Sequence, residues 1–307
     1  LKVLCLLIGL PGSGKSTYIK QTATNNAIIL STDGIREELF GPVFNEKIKQ
    51  EVFKELIVRT QNSIENNHEV IVDTTFLNDE FLRKTFIEQI KQHPTHVKIT
   101  AIVFDTEISV CLIRDKSRTA NRIVGQEIIK ELEKGLSFPE KDNDFNDVFK
   151  RRVVALTDKE FKQLNPKLPK GYRIHTRGTI IGDNQYKPDI SIANSTEEVV
   201  CCIESSSSGD RKATLAELLQ AEKYANDYEL SLDLIICLAG NSKTSPTPQS
   251  QRDYLEPYFT FLKAHRRINE KGIKRVCLST EKNFLEFILE NKTILSRDFI
   301  RSCVILE

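Results

Sequence analysis

One stretch constrains this chain more than any other: an apolar run from Leu1 to Ile8 that leads into Gly9-Leu10-Pro11-Gly12-Ser13-Gly14-Lys15-Ser16. The second part satisfies the pattern G-x-x-x-x-G-K-[ST] at every position. An unbroken apolar run is the pattern of a parallel strand buried on both faces. The polar stretch from Ser16 and Thr17 onward reads as a helix. Strand, glycine-rich turn and helix form a cradle for phosphate. Glycines allow backbone N–H groups to converge on an anion without a Cβ in the way. Lys15 supplies positive charge, Ser16 a hydroxyl for a hard cation, and the helix its positive end. Gly9, Pro11, Gly12, Ser13, Gly14, Lys15, Ser16 and Thr17 are therefore the expected nucleotide-binding residues. A chance glycine turn would lack both flanking elements.

The residues that follow place more chemistry at strand ends. Ala27 to Leu30 reads as a short strand that runs into Ser31-Thr32-Asp33-Gly34-Ile35-Arg36. An acid at the carboxyl end of a parallel strand faces the ligand crevice of an open α/β sheet. Asp33 and Arg36, three apart, would share one helical face. Glu46 to Asn66 carries Ile48, Val52, Leu56 and Ile57 at helical spacing. Glu69 to Asp73 is another strand, followed by Thr74 and Thr75. Asp73 suits a water-mediated Mg²⁺ contact or orientation of a substrate strand, and a turn or helix cap competes with that role. Val97 to Phe104 is the next strand. Beyond it Arg114, Arg118 and Arg122 recur every fourth residue, one stripe if the segment is helical. The stripe is either a solvated basic face or a lid that closes on a transferring phosphoryl group.

Together, Gly9 to Thr17, Asp33-x-x-Arg36, Asp73-Thr74-Thr75 and Arg114-x-x-x-Arg118 resemble the 5′-kinase domain of phage-type polynucleotide kinases. The likeness spans about residues 1 to 136 and extends to the kinase module of fungal tRNA ligases. It implies an ATP- and Mg²⁺-dependent phosphotransferase. Asp33 would be the general base for a 5′-hydroxyl, and Arg36 would grip the 3′-phosphate beside the acceptor nucleoside. Asp73 and Thr74 would help hold the acceptor strand, and Arg114 and Arg118 would contact the donor phosphates. One departure is Ile123-Val124-Gly125, where the family often has a Val-Pro step that opens the next helix. The same P-loop, Asp-x-x-Arg and arginine segment also resemble zeta-toxin-like and other small-molecule kinases.

Residues 151–171 read as a linker between a P-loop kinase domain over 1–150 and a second domain over 172–307. The segment from Phe138-Pro139 through Asn165-Pro166-Lys167-Leu168-Pro169-Lys170-Gly171 is dense in turn formers. Strands are expected at Tyr172 to Ile181, Tyr186 to Ile192, Val199 to Glu204, Leu232 to Leu238 and Ile273 to Thr280. Helices are expected at Arg211 to Asp227 and Gln251 to Lys271, with a flexible Ser, Thr and Pro-rich loop at Gly240 to Gln251. The expected fold class is α/β throughout, with acids ending the second and third strands of this domain. Pro188-Asp189 and Ile203-Glu204 resemble the PD-(D/E)xK nuclease fold, and Gln220-x-x-x-Tyr224 resembles an element of its RecB-like members. That likeness implies Mg²⁺ or Mn²⁺ at Asp189 and Glu204 for attack on a phosphodiester. Ser206 stands where the family has its lysine, and Lys212 or Arg211 are candidates to fill the gap. A degenerate fold that only binds nucleic acid is the competing reading.

Charge is balanced, with 44 Lys+Arg against 43 Asp+Glu, so a nucleic-acid partner would have to be met by a local groove. Arg266-Arg267 and Lys274-Arg275 are candidate phosphate contacts, or simply charged helix edges. Seven cysteines lie mostly inside apolar runs without a C-x-x-C pair, the pattern of core thiols in a reducing compartment. No apolar run approaches a membrane span of roughly 18 residues. With the first strand beginning at once, the expectation is a cytoplasmic protein without a signal peptide. The leading functional expectation is a polynucleotide 5′-hydroxyl kinase with an appended nuclease-like domain. The alternatives are a small-molecule or sugar-nucleotide kinase, and an ATP-gated, metal-dependent nuclease.

Overall fold

The computed structural model describes residues 2–306 apart from 42, 44, 93–95, 120–121, 142–143, 177–186, 207–209, 228–232, 240–247 and 266–272. The chain divides into two compact units, Leu1–Val153 and Val154–Glu307.

The first unit is an α/β layer structure. Its strands are β1 (Lys2–Ile8), β2 (Ala27–Ser31), β3 (Glu69–Asp73), β4 (Val97–Thr106) and β5 (Asp147–Val153). They form one sheet in the order β2-β3-β1-β4-β5, and every neighbouring pair is parallel. Its helices are α1 (Lys15–Thr22), α2 (Thr32–Phe40), α3 (Glu46–Glu65), α4 (Glu80–Lys91), α5 (Ile108–Lys116) and α6 (Gln126–Lys134), with a 3₁₀ turn at Phe76–Asn78. β1 is central and buried on both faces. Leu4, Leu6 and Ile8 join the larger core with Val52, Leu56, Phe86 and Ile90, while Cys5 and Leu7 pack with Ile19 and Phe104. That division is why the strand reads as continuous rather than alternating hydrophobicity. α3 buries Val52, Leu56, Thr60 and Ile64, one residue per turn. The register pairs Leu7 with both Asp73 and Ile102, so β1 and β3 end nearly level beside the loop after β1, while β4 runs on to Thr106.

The second unit holds β6 (Arg173–Thr176), β7 (Ile190–Ala193), β8 (Val199–Ser206), β9 (Asp233–Leu238), β10 (Arg275–Thr280) and β11 (Val304–Leu306). They form one mixed sheet in the order β11-β10-β9-β8-β7-β6. β8, β9 and β10 run parallel, whereas β6, β7 and β11 join antiparallel. α7 (Asp158–Lys162), α8 (Arg211–Asp227), α9 (Pro248–His265), α10 (Glu281–Leu289) and α11 (Arg297–Ser302) complete it. One core joins Leu218, Ala221, Leu255 and Leu262 of the helices to Leu234, Ile236 and Leu278 of the strands. Phe284 lies between Phe161 and Phe299, at ring-centroid distances of 5.4 and 6.1 Å.

Three expectations need correction. Residues 151–171 are not a bare linker. β5 extends to Val153, and Leu156, Phe161 and Leu164 are buried. β5 escaped notice because it is an edge strand with four consecutive exposed residues, Phe149 to Arg152, and so no period-2 apolar signal. Asp189 does not end a strand: it immediately precedes β7, and antiparallel pairing of β7 with β8 still brings it to Glu204. α9 begins at Pro248, inside the stretch expected to be loop. Residues 177–181, Tyr186, Leu232, residues 240–247 and Arg266-Arg267 lie outside the described residues.

Candidate active site

The loop after β1 is held from all sides. Gly12 sits at φ 82°, and a Cβ there would lie 2.5 Å from the Cys111 carbonyl oxygen of α5, so the loop needs glycine for both conformation and space. Thr106 Oγ1 donates to the Ser13 carbonyl at 3.0 Å, and Asn78 bonds both polar groups of Gly9. Gly14 caps α1 with no side chain of its own, and no acid lies in the helix's first turn. The first-turn N–H groups therefore meet no built-in anion, which suits them to an external one.

Lys15 is buried, and its Nζ donates to the carbonyls of Gly9 at 2.7 Å and Leu10 at 2.9 Å. Burial pushes its ammonium below its ordinary value, opposed by the negative charge of Asp73. Ser16 Oγ lies 3.4 Å from Asp73 Oδ2. A hydroxyl and a carboxylate side by side at the strand tips are hard oxygen donors of the kind Mg²⁺ takes beside a bound triphosphate. The cradle, the lysine and this donor pair fit Mg²⁺ and a nucleotide.

β2 delivers the next pair. Ser31 caps α2, its Oγ accepting from Gly34 N at 3.1 Å, which starts the helix directly before Asp33. Asp33 Oδ1 and Arg36 Nη2 are 3.4 Å apart, one turn along α2. The Asp33 side chain is 86% exposed and that of Arg36 is 31% exposed, an open pair rather than a buried ion pair. Asp33 is near enough for its charge to act on Lys15. Thr74, expected to touch substrate, is buried. Its hydroxyl is engaged with Thr32 Oγ1 at 2.8 Å and accepts from Phe76 N at 3.1 Å, so it ties the tips of β2 and β3 together.

The arginine stripe is also corrected. α5 ends at Lys116, so Arg114, Arg118 and Arg122 do not share a helix. Ser117 N turns back to the carbonyls of Ile113 and Arg114, each at 3.2 Å. Asp115, a buried carboxylate, accepts from Val124 N and from Gly125 N at 2.9 Å and holds the returning chain against α5. Arg118 Nη1 approaches the same carboxylate at 3.4 Å. Arg114 Nη1 reaches the Gly12 carbonyl at 3.4 Å, and Arg122 is exposed. Gly125, in place of the proline step, caps α6 at φ 96°, with its N–H held by Asp115.

In the second unit Asp189 N donates to Glu204 Oε2 at 3.3 Å, and Ser205 N donates to Asp189 Oδ2 at 3.0 Å. Lys162 of α7 stands 3.2 Å from Asp189 Oδ1. Ser206 bonds Thr214 at 3.3 Å instead of facing charge, and Arg211 and Lys212 are exposed. Burial raises the Asp189 carboxyl above its ordinary value, partly offset by Ser205 N and Lys162. Glu217 of α8 is pushed up to about 7 by burial and by the charges of Asp189 and Asp158. Glu281 is pushed up to about 7, chiefly by burial, while accepting from Leu156 N at 2.7 Å. Gln220 is exposed, and the side chain of Tyr224 lies outside those described. Among the described residues no group of three His, Cys, Asp or Glu is placed to hold a metal.

Asn78, Asp115 and Lys162 were not singled out from sequence. One acid amid basic residues at 114–118 is the signal available for Asp115, whereas Asn78, followed directly by Asp79 and Glu80, carries none.

A five-stranded parallel sheet with a phosphate loop after its central strand and acids at neighbouring strand tips defines an open α/β unit of the P-loop type. A family model described as an AAA domain matches residues 4–139. Among solved structures, a sugar kinase from Janibacter sp. HTCC2649 is similar at 13% identity over 52% of this chain and 90% of its own, with a TM-score of 0.37. The Mycobacterium tuberculosis APS kinase CysC, solved with AMPPNP and APS, is similar at 15% identity over 48% of this chain and 88% of its own, TM-score 0.37. A chain of the Pnkp1/Rnl/Hen1 RNA repair complex is similar at 13% identity over 98% of this chain and 92% of its own, TM-score 0.38. No helix among the described residues is long and apolar enough to cross a membrane.

Proposed function

We propose that the first unit transfers the γ-phosphoryl group of ATP to the 5′-hydroxyl of a DNA or RNA end. The observation that carries this reading is the Asp33–Arg36 pair at the start of α2, its carboxylate exposed and its guanidinium half-buried, near the lysine of the phosphate cradle. A carboxylate next to a guanidinium can accept a hydroxyl proton while the guanidinium holds the adjacent phosphate of the same strand. Its exposure suits an acceptor that is the end of a long molecule.

Mg²⁺, with Ser16 and Asp73 as its protein partners, would neutralise charge on the β- and γ-phosphates. Lys15 moves from the Gly9 and Leu10 carbonyls onto those phosphates. Asp33 takes the proton of the attacking hydroxyl as its oxygen bonds to the γ-phosphorus, and the bond to the bridging oxygen breaks to release ADP. Arg114 and Arg118 meet the charge on the transferring group. Labelled γ-phosphate transfer to a 5′-hydroxyl oligonucleotide, wild type beside Asp33→Ala, tests the reading. An intact labelled oligonucleotide formed by the wild type and lost in the variant supports it. Transfer to a mononucleoside or sugar nucleotide with indifference to oligonucleotides would replace it with a small-molecule kinase.

For the second unit, the Asp189–Glu204 pair favours action on the same strand. With a divalent cation at these carboxylates, Lys162 would take the place of the lysine missing at Ser206. Metal-dependent shortening of an oligonucleotide, lost in Glu204→Ala and kept in Asp33→Ala, tests this activity. Uncut oligonucleotide that is still bound would leave the unit as a binding module.

A further inference from the structure

Asn78 lies in the 3₁₀ turn after β3, 2% exposed, and is directed at the first glycine of the phosphate loop. Its Oδ1 accepts from Gly9 N at 2.9 Å, and its Nδ2 donates to Gly9 O at 3.2 Å. The two bonds fix the amide's orientation, since a flipped amide would face donor to donor and acceptor to acceptor. Gly9 O is shared: Lys15 Nζ donates to it as well, at 2.7 Å. Asn78 is itself braced. Arg83, 3% exposed, donates through Nη1 to the carbonyls of Leu77 at 2.8 Å, Asn78 at 3.3 Å and Ser137 at 2.9 Å, and Ser137 N donates to Asn78 O at 2.9 Å.

This arrangement bears on how the lysine is released. When Lys15 swings to a phosphate, the Gly9 carbonyl loses its charged donor inside a buried loop. An unsatisfied buried acceptor opposes that movement. Asn78 Nδ2 is already in place and stays when the lysine leaves.

We propose that Asn78 is a positioning residue for nucleotide binding: it fixes the Gly9 peptide and remains the donor to its carbonyl, which frees Lys15 to engage phosphate. The inference rests on the nucleotide-binding reading of the loop. It concerns ATP binding rather than the acceptor, so the identity of the acceptor does not enter.

Asn78→Asp is nearly isosteric and keeps the acceptor for Gly9 N. It places a carboxylate against Gly9 O and beside Lys15, which holds the lysine in its resting position. ATP affinity measured by calorimetry is expected to fall about tenfold or more in Asn78→Asp. In a Lys15→Ala background the same change is expected to cost about twofold or less, because no lysine remains to be released. Equal losses in both backgrounds, or no loss in the first, would overturn the proposal. A second measurement needs no variant. By NMR, Gly9 N–H in the wild type should stay protected from exchange both free and with a non-hydrolysable ATP analogue. Loss of protection on nucleotide binding would show that the Asn78 clamp opens and would sink the idea. Failure of the wild type to bind ATP would instead refute the nucleotide-binding reading itself.

Discussion

Both units gather carboxylates, yet in different settings: at the tips of parallel strands in the first, and in the second from β8, the residue before β7 and the helices α8 and α10. In the first, Asp73 faces the Ser16 hydroxyl, with Lys15 and the start of α1 alongside. Positive character exceeds negative there, and the site is prepared for an anion. In the second, Asp189, Glu204, Glu217 and Glu281 crowd round the ends of β8 and β10, with Lys162 at the rim. Burial raises the carboxyls of Asp189, Glu217 and Glu281 above their ordinary values, with neighbouring acids adding to it, so the folded state favours protons on them. The carboxylates of the two units are therefore set by how far each is removed from water and by the cation beside it, Lys15 in the first unit and Lys162 in the second.

The contrast can be broken most forcefully at Asp33. Asp33→Ala should lower phosphoryl transfer about 10²- to 10⁴-fold, the usual reach of a general base, with ATP affinity within about threefold of wild type. Transfer kinetics beside calorimetry separate the two, and retained transfer would remove Asp33 from the chemistry. Asp115→Ala comes next. It strips the acceptor from Val124 N, Gly125 N and Arg118 together. A cost of about 2–3 kcal/mol in stability is expected for a buried hydrogen-bonded carboxylate. Faster tryptic cleavage at Arg118 and Arg122 should accompany it, and an unchanged cleavage rate would show that the segment is held by other contacts.

Glu217→Gln sharpens the comparison from the other side. The Glu217 carboxyl rises from an ordinary 4.5 to about 7, so the folded state binds a proton that the unfolded chain has released between those values. The contribution of Glu217 to native stability is then fullest below about pH 4.5 and declines as pH rises toward 7. The glutamine keeps the neutral form at every pH. It should add about 1–2 kcal/mol at pH 8 and close to nothing at pH 4.5, read from denaturant melts at the two pH values. A gain of equal size at both would mean that proton linkage is not the cause. Lys162→Ala is the smallest change. Partly exposed ion pairs are worth about 0.2–1 kcal/mol. A loss in that range at pH 7, shrinking as Asp189 protonates in acid, is expected from the same melts.

The contrast was legible in the sequence to different depths. Gly9 to Ser16 declared itself because every residue of the cradle is local and obligatory. The helix Glu46–Glu65 and the strands β2, β3 and β4 followed from periodicity and from acids at their ends. β5 did not, since an edge strand with an exposed central run carries no pattern to detect. Asn78, Asp115 and Lys162 were hidden for another reason. Each acts on a partner chosen by the fold: a backbone peptide 69 residues away, a returning loop, or a carboxylate at the start of a strand. Spacing alone reports neither a peptide as partner nor the closing of a loop. The four-residue arginine repeat forms no stripe because α5 ends at Lys116, before Arg118 and Arg122.

The contact between Gly12 and the backbone of Cys111 bears on how the first unit behaves as a machine. α5 meets the phosphate loop at Cys111 and, one turn later, carries Arg114 and Asp115. No compressible layer separates the loop from this helix. The loop and α5 are thus packed as one block: any side chain larger than hydrogen at position 12 would have to push the helix, and Arg114 with it, away from the loop.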